Sequence, residues 1–137
     1  MKRSKEDIVF SNLIRERADF TCERCGKNCR DRPGGLDCSH IFSRRHLRTR
    51  FEPDNAQALC MACHNWFGEN PYESGRWLIE VFGDGYMDIL REKKESIFKF
   101  PKHEKEEMYK HYKEEYRKML EQREEGVEGR IEFVSYF

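Results

Sequence analysis

The sequence predicts an α+β fold: a small strand-and-helix core stapled by a metal ion, with flanking helices and a long C-terminal amphipathic helix. Three observations predict it. Cysteines come in two short pairs, Cys22-x-x-Cys25 and Cys60-x-x-Cys63. Between the pairs lies a short apolar stretch, Leu36 to Ser43, that reads as a strand. Beyond Pro101 a highly charged stretch carries Met108, Tyr112, Tyr116 and Met119 in one helical stripe. The composition fits a single small unit: 137 residues, 38% charged and 37% hydrophobic. So charged a chain has a modest apolar core, and a bound ion would strengthen it.

The elements follow in order. Ser4 to Arg17 reads as a helix with Ser4 as N-cap and Asp7 at the third position of a capping box. Ile8, Val9, Leu13 and Ile14 give it a loose apolar face. Phe20 to Gly26 is a short extended piece entering a knuckle, in which Gly26 lets the chain turn so that both thiolates face one ion. Lys27 to Gly35 is a polar loop with a turn at Pro33-Gly34-Gly35. Leu36 to Ser43 is a strand, and Arg44 to Asn55 a long connection.

Ala56 to Phe67 reads as a helix capped by Asp54 or Asn55, with His64 four residues after Cys60 on the same surface. Asn70-Pro71 opens a further helix that carries Trp77, Leu78, Val81 and Phe82 and stops at Gly83. Tyr86, Ile89 and Leu90 suggest a third short helix, and Phe98 to Pro101 breaks the pattern. Lys102 to Glu125 is the long helix, and Gly126 to Gly129 ends it. Ile131 to Phe137 is a small strand or an ordered tail. The sequence thus divides into residues 1–101, the zinc-stabilised unit, and residues 102–137, a helical extension that packs on it or mediates self-association.

Charge totals are uninformative, since 26 basic residues balance 26 acidic ones. Their distribution is not. From Cys38 to Phe51 there is no acid, while Arg44, Arg45, His46, Arg48 and Arg50 fall together. Such a local patch binds phosphate whatever the net charge. No apolar run approaches transmembrane length and no secretion signal is visible, so the chain reads as cytoplasmic, with no membrane partner. In a reducing compartment, Cys-x-x-Cys pairs favour metal over disulfides.

Four thiolates, Cys22, Cys25, Cys60 and Cys63, suit a tetrahedral structural Zn²⁺. The 34 residues between the pairs leave room for a strand-and-loop unit inside the staple. Cys38 reads as a small buried side chain, and Cys29 as a loop residue able to replace a neighbouring ligand. Inside the staple, His40 suits a general base, because its pKa lies near neutrality. His64 suits a metal ligand, and Asn55 can hydrogen-bond backbone and fix the intervening loop. Arg44, Arg45, Arg48 and Arg50 can clamp phosphates. Each signal is weak alone. Their order carries more: zinc knuckle, strand with His, basic loop, Asp-Asn, then Cys-x-x-Cys-His.

That order, from Phe20 to Phe67, resembles the HNH endonuclease family, whose ββα-metal core sets two strands and a helix around one catalytic ion. The runs C-S-H-I-F-S-R-R-H, R-F-E-P-D-N and C-x-x-C-H are similar to phage recombination nucleases of the NinG (Rap) and Ref type. The resemblance implies an HNH DNA endonuclease that hydrolyses phosphodiester bonds in phage recombination or DNA processing. His40 would be the base, Asn55 the orienting residue and His64 the ligand of a catalytic Mg²⁺ or Mn²⁺, with Zn²⁺ as another option. The implied partners are DNA, branched or single-stranded forms included, and a host recombinase. The implied setting is a phage-infected or prophage-bearing bacterium, and the protein would be a monomer or a homodimer through the 102–125 helix. Many family members place an Asp immediately before the first His; here Ser39 stands there. Asp37 and His46 are the candidates to complete the shell. The alternative is a catalytically degenerate, zinc-stabilised DNA-binding accessory protein.

Overall fold

A computed structural model describes residues 2–137; Met1 lies outside the described residues. The elements run α1 (Lys5–Arg17), β1 (Leu36–His40), α2 (Leu47–Arg50), a 3-10 turn (Pro53–Asn55), β2 (Ala56–Cys60), α3 (Met61–Glu69), α4 (Pro71–Phe82), α5 (Asp84–Glu95) and α6 (Lys102–Glu124). Among the described residues the architecture is α+β, with six α-helices around one two-stranded antiparallel sheet.

Helix α1 starts where its capping box requires. The Ser4 hydroxyl accepts from the Asp7 amide, and the Asp7 carboxylate accepts from the Ser4 amide. Val9, Phe10, Leu13 and Ile14 then fall on one buried face. After the helix, Asp19 and Phe20 both take φ of 53°, in the left-handed region. This tight reversal sends the chain back toward the sheet and delivers Cys22 to it. Gly26, with φ of 79°, makes the knuckle turn expected of it.

The expected connection 44–55 holds a short helix, α2, and a 3-10 turn, and a further element misread from sequence lies beside the site. Ala56 to Cys60 is strand rather than the first half of a helix, and its register with β1 runs from Leu36 opposite Cys60 to His40 opposite Ala56. Ala, Gln and Leu are good helix formers, but every residue of β2 is buried, and the ladder to β1 supplies partners for its backbone. Tertiary pairing overrides local propensity here. The helix begins one step later, with Cys60 as the N-cap of α3. Asp54 and Asn55 belong to the 3-10 turn that precedes β2. The β1 strand is also shorter than expected and ends at His40.

Helix α4 has Asn70 at its N-cap and Pro71 at its first position, and it ends at Gly83, with φ of 87°. On α6, Met108, Tyr112 and Met119 are buried and Tyr116 is half-buried, all packed into one cluster with α1 and the sheet. The Tyr112 hydroxyl donates to the Phe51 carbonyl at 2.7 Å. Residues 131–137 form an ordered tail without strand pairing: the Ile131 amide bonds the Arg17 carbonyl at 3.1 Å, and the Val134 amide bonds Glu115 Oε1 at 2.8 Å. Among the described residues no helix is long and apolar enough to cross a membrane.

Candidate metal centre and adjoining cleft

The knuckle and the β2–α3 junction bring the cysteine pairs together. The Sγ atoms of Cys22, Cys25, Cys60 and Cys63 all lie within 4.8 Å of one another, and Cys25 and Cys60 are 3.8 Å apart. Four thiolates bonded at about 2.3 Å to a tetrahedral ion stand roughly 3.8 Å apart. The group can therefore hold a structural metal ion, and its chemistry is compatible with zinc. Burial pushes the Cys22 thiol up, but the amides of Cys25, Cys60 and Arg24 more than offset this and bring it to about 7. Arg24 donates to Cys63 Sγ at 3.4 Å, and its guanidinium stacks over Trp66 at 3.5 Å. It is the cation beside the thiolates, held in place by an aromatic ring.

The two remaining cysteines stand apart from this group. Cys29 is buried, with its Sγ 3.7 Å from the Lys27 carbonyl. Burial pushes the Cys38 thiol up to about 12, so it stays protonated.

Strand β1 also borders a cleft of about 470 Å³, lined by Arg3, Asp7, Ser11, Arg15, Asp37, Cys38, His40, Arg44 and His64. Strand β1 carries Asp37 and His40 into it, and α3 carries His64. His64 Nδ1 and Asp37 Oδ2 are 2.9 Å apart. Both side chains are about two-fifths exposed, 40% for His64 and 43% for Asp37, so the pair is open to solvent and to substrate. At this separation the His64 Nδ1–H donates to the Asp37 carboxylate, which leaves the lone pair on Nε2.

Ser39 is buried at 2% exposure and is not among the residues lining the cleft. Asp37 is therefore the carboxylate that β1 offers. His46 is not a neighbour of this pair. It is exposed, sits at the N-cap of α2, and lies outside the cleft lining. The turn into α2 carries its side chain to the surface.

His40 is held on two sides. Its Nε2 lies 3.1 Å from the Arg50 carbonyl, and its ring stacks against Phe10 at 6.0 Å. A carbonyl only accepts, so Nε2 carries the proton and Nδ1 keeps the lone pair. Burial lowers the His40 pKa below the usual 6.5, which favours the neutral ring. Asn55 is fully buried. Its Oδ1 accepts from the Phe42 amide at 2.8 Å, while Nδ2 donates to the carbonyls of Phe42 at 2.9 Å and Thr49 at 3.0 Å. It thereby ties both ends of the 42–49 loop, and Arg50, the residue after that loop, presents the carbonyl that His40 uses.

The basic loop is only partly available to a ligand. Arg50 makes a two-pronged pair with the buried Asp7 carboxylate, at 3.0 and 2.5 Å. Arg48 bonds Glu52 at 3.1 Å and covers Phe137 at 4.6 Å. Both arginines are thus engaged by partners within the fold. Arg45 is exposed outside the cleft lining, and Arg44 lines the cleft 3.5 Å from Asp7. Two cleft arginines went unforeseen, Arg3 and Arg15, because they lie far along the chain from the cysteine–histidine motif. The signal that could have found them is the four-residue spacing of Arg3, Asp7, Ser11 and Arg15, a polar run that continues along α1 beside its apolar face.

Comparison of the chain with family models, with curated proteins and with solved structures returns no match.

Proposed function

We propose that this chain is a divalent-metal-dependent endonuclease that hydrolyses phosphodiester bonds in DNA. The observation that carries the reading is the Asp37–His64 contact of 2.9 Å in the same cleft as a neutral, carbonyl-anchored His40. The chemistry divides among this chain's residues. His40 Nδ1 takes the proton from the attacking water, and the Nε2 bond to Arg50 fixes the ring's tautomer and direction. Asn55 aims that base indirectly by holding the loop that leads to Arg50. Asp37 and His64 offer one oxygen and one nitrogen as ligands for a divalent ion, which when bound stabilises charge on the phosphate and on the leaving oxygen. Arg44 adds a positive charge at the cleft wall.

With two ligands from the chain, the remainder of a hexacoordinate shell falls to water and substrate oxygens, as Mg²⁺ and Mn²⁺ accept. The same sparseness supports a second reading, a DNA-binding accessory protein that holds no catalytic ion. Zinc-loaded protein incubated with supercoiled, single-stranded and branched DNA, in Mg²⁺ or Mn²⁺, separates the two. The nuclease reading expects nicking or cleavage that falls at least 100-fold in His40→Ala and in Asp37→Ala. Equal cleavage by wild type and His40→Ala removes the base. Binding without cleavage of any substrate leaves the accessory protein as the better description.

A further inference from the structure

We propose that the N-terminal helix, rather than the basic loop, supplies the phosphate grip of this cleft: Arg3 and Arg15, aligned by Ser11, bind a backbone phosphate of the DNA strand beside the Asp37–His64 pair. This rests on the nuclease reading for its location but not for its test.

The argument begins with the stripe. Asp7, Ser11 and Arg15 recur every four residues and share one side of α1, Arg3 lies just before the N-cap Ser4, and all four line the cleft that also holds Asp37, His40 and His64. The adjoining side, with Phe10, Leu13 and Ile14, is buried in the core. The core packing of α1 therefore fixes which way the polar side chains point.

Within the stripe, charge is distributed unevenly. Asp7 is committed to Arg50 at 2.5 Å and faces Arg44 at 3.5 Å. Among the described residues no carboxylate pairs with Arg3 or Arg15. Each instead donates to the one Ser11 hydroxyl, Arg3 Nη2 at 2.6 Å and Arg15 Nη2 at 3.4 Å, and Arg15 also reaches Asn12 Oδ1 at 2.8 Å. The Ser11 hydroxyl gives its single hydrogen to the Ile8 carbonyl at 3.0 Å. Its lone pairs are thereby turned to the two guanidiniums, and its hydrogen-bonding capacity is full. Burial lowers the Arg15 pKa most; the like charge of Arg3 lowers it further, while Asp37 across the cleft acts in the opposite sense.

Two neighbouring forks with spare donors and no carboxylate in direct contact match the geometry of a phosphodiester's two free oxygens. An anion bound there relieves the repulsion and meets donors that are already aligned. Its place along the cleft from Asp37 and His64 suits a phosphate next to the one being cut, which orients the strand rather than taking part in bond breaking.

The test is equilibrium binding of a labelled DNA oligonucleotide to the zinc-loaded full chain without Mg²⁺ or Mn²⁺, across a salt series. It compares wild type, Arg3→Gln/Arg15→Gln, Arg15→Lys, and Arg117→Gln on the far surface of α6. The expectation is a loss of about tenfold in affinity for the double variant, with its log–log salt slope shallower by about one. Arg117→Gln should match wild type. Arg15→Lys should keep the slope while losing part of the affinity, because it retains the charge but not the fork. A strand with neutral methylphosphonate linkages should bind wild type as weakly as the double variant binds ordinary DNA. An unchanged slope in a double variant that melts like wild type overturns the proposal, as does displacement of the strand by millimolar inorganic phosphate. Tighter arginine-dependent binding of an RNA of the same sequence overturns the assignment to DNA. Cleavage assayed in parallel keeps the two readings apart. Arginine-dependent binding without cleavage leaves the grip and removes the nuclease. Cleavage with an unchanged KM in the double variant leaves the nuclease and removes the grip.

Discussion

Asp7 shows how much one side chain can organise. It closes the capping box of α1 through the Ser4 amide, grips Arg50 with both carboxylate oxygens, and faces Arg44 across the cleft. Burial opposes its ionisation, but the Arg50 and Ser4 bonds outweigh burial and hold its pKa at about 2. Asp7→Asn would keep the size while leaving the Arg50 guanidinium, 11% exposed, without its counter-charge. A loss of about 3 kcal/mol is expected, read as a lower urea midpoint. His40 works in the opposite sense. Burial depresses its pKa, so its neutral form is favoured in the fold. Its contribution to stability is full above pH 6.5, and it is lost as pH falls through the depressed folded value. For a base that must be neutral, the same shift moves the acid limb of the rate profile below pH 6.5. An acid limb above that value, in a pH series of kcat/KM for DNA cleavage, would contradict the role given to His40.

At the scale of elements, the knuckle and the sheet depend on each other. Cys22 and Cys25 sit in a turn, while Cys60 and Cys63 straddle the β2–α3 junction. Glu23, between the first pair, receives the Ala58 amide of β2 at 2.6 Å and Arg130 of the tail at 2.9 Å. An ion held by the four thiolates therefore fixes the edge of the sheet that carries Asp37 and the helix that carries His64. One zinc per chain is expected, and its removal by a strong chelator should lower the melting temperature by 10 °C or more and release the α3 amides to hydrogen exchange. Retention of the full melting temperature by metal-free protein would mean that packing alone holds the junction. The cysteine pairs, the capping box of α1, the Gly83 stop and the stripe of α6 were legible because each is a local pattern with a local cause. The β2 strand was not. Its buried residues do not alternate, and the partner that makes it a strand lies some twenty residues away. The site was legible to the same degree. His40, Asn55 and His64 stand in the sequence as a motif, whereas Arg3 and Arg15 join them only once α1 is folded onto the sheet. The pairing of Arg48 with Glu52 and of Arg50 with Asp7 is likewise a tertiary fact that no reading of the loop alone weighs.

Over the whole molecule, the division at Pro101 that the sequence suggests does not separate two cores. Phe10, Leu13, Phe51 and Leu59 share one cluster with Met108, Tyr112, Met119 and Ile131. Polar ties cross the same boundary: Tyr112 to the Phe51 carbonyl at 2.7 Å, Arg123 to Glu16 at 2.9 Å, and the Ile131 amide to Arg17 at 3.1 Å. The Phe51 contact matters most for the cleft, because the preceding residue, Arg50, anchors both His40 and Asp7. A chain ending at Pro101 would expose the apolar face of α1 and leave the Phe51 carbonyl without its buried donor. Loss of several fully buried side chains at about 2–5 kcal/mol each exceeds the 5–15 kcal/mol that holds a typical domain. Residues 1–101 should therefore lose their cooperative thermal transition even with zinc present. Tyr112→Phe in the full chain should instead lower stability by only about 1–3 kcal/mol, the cost of one buried acceptor left unpaired. Circular dichroism melts of the two variants decide the matter. A cooperative transition in residues 1–101 near that of the full chain would show that the metal and the sheet suffice, and that α6 is an accessory to the site rather than part of what shapes it.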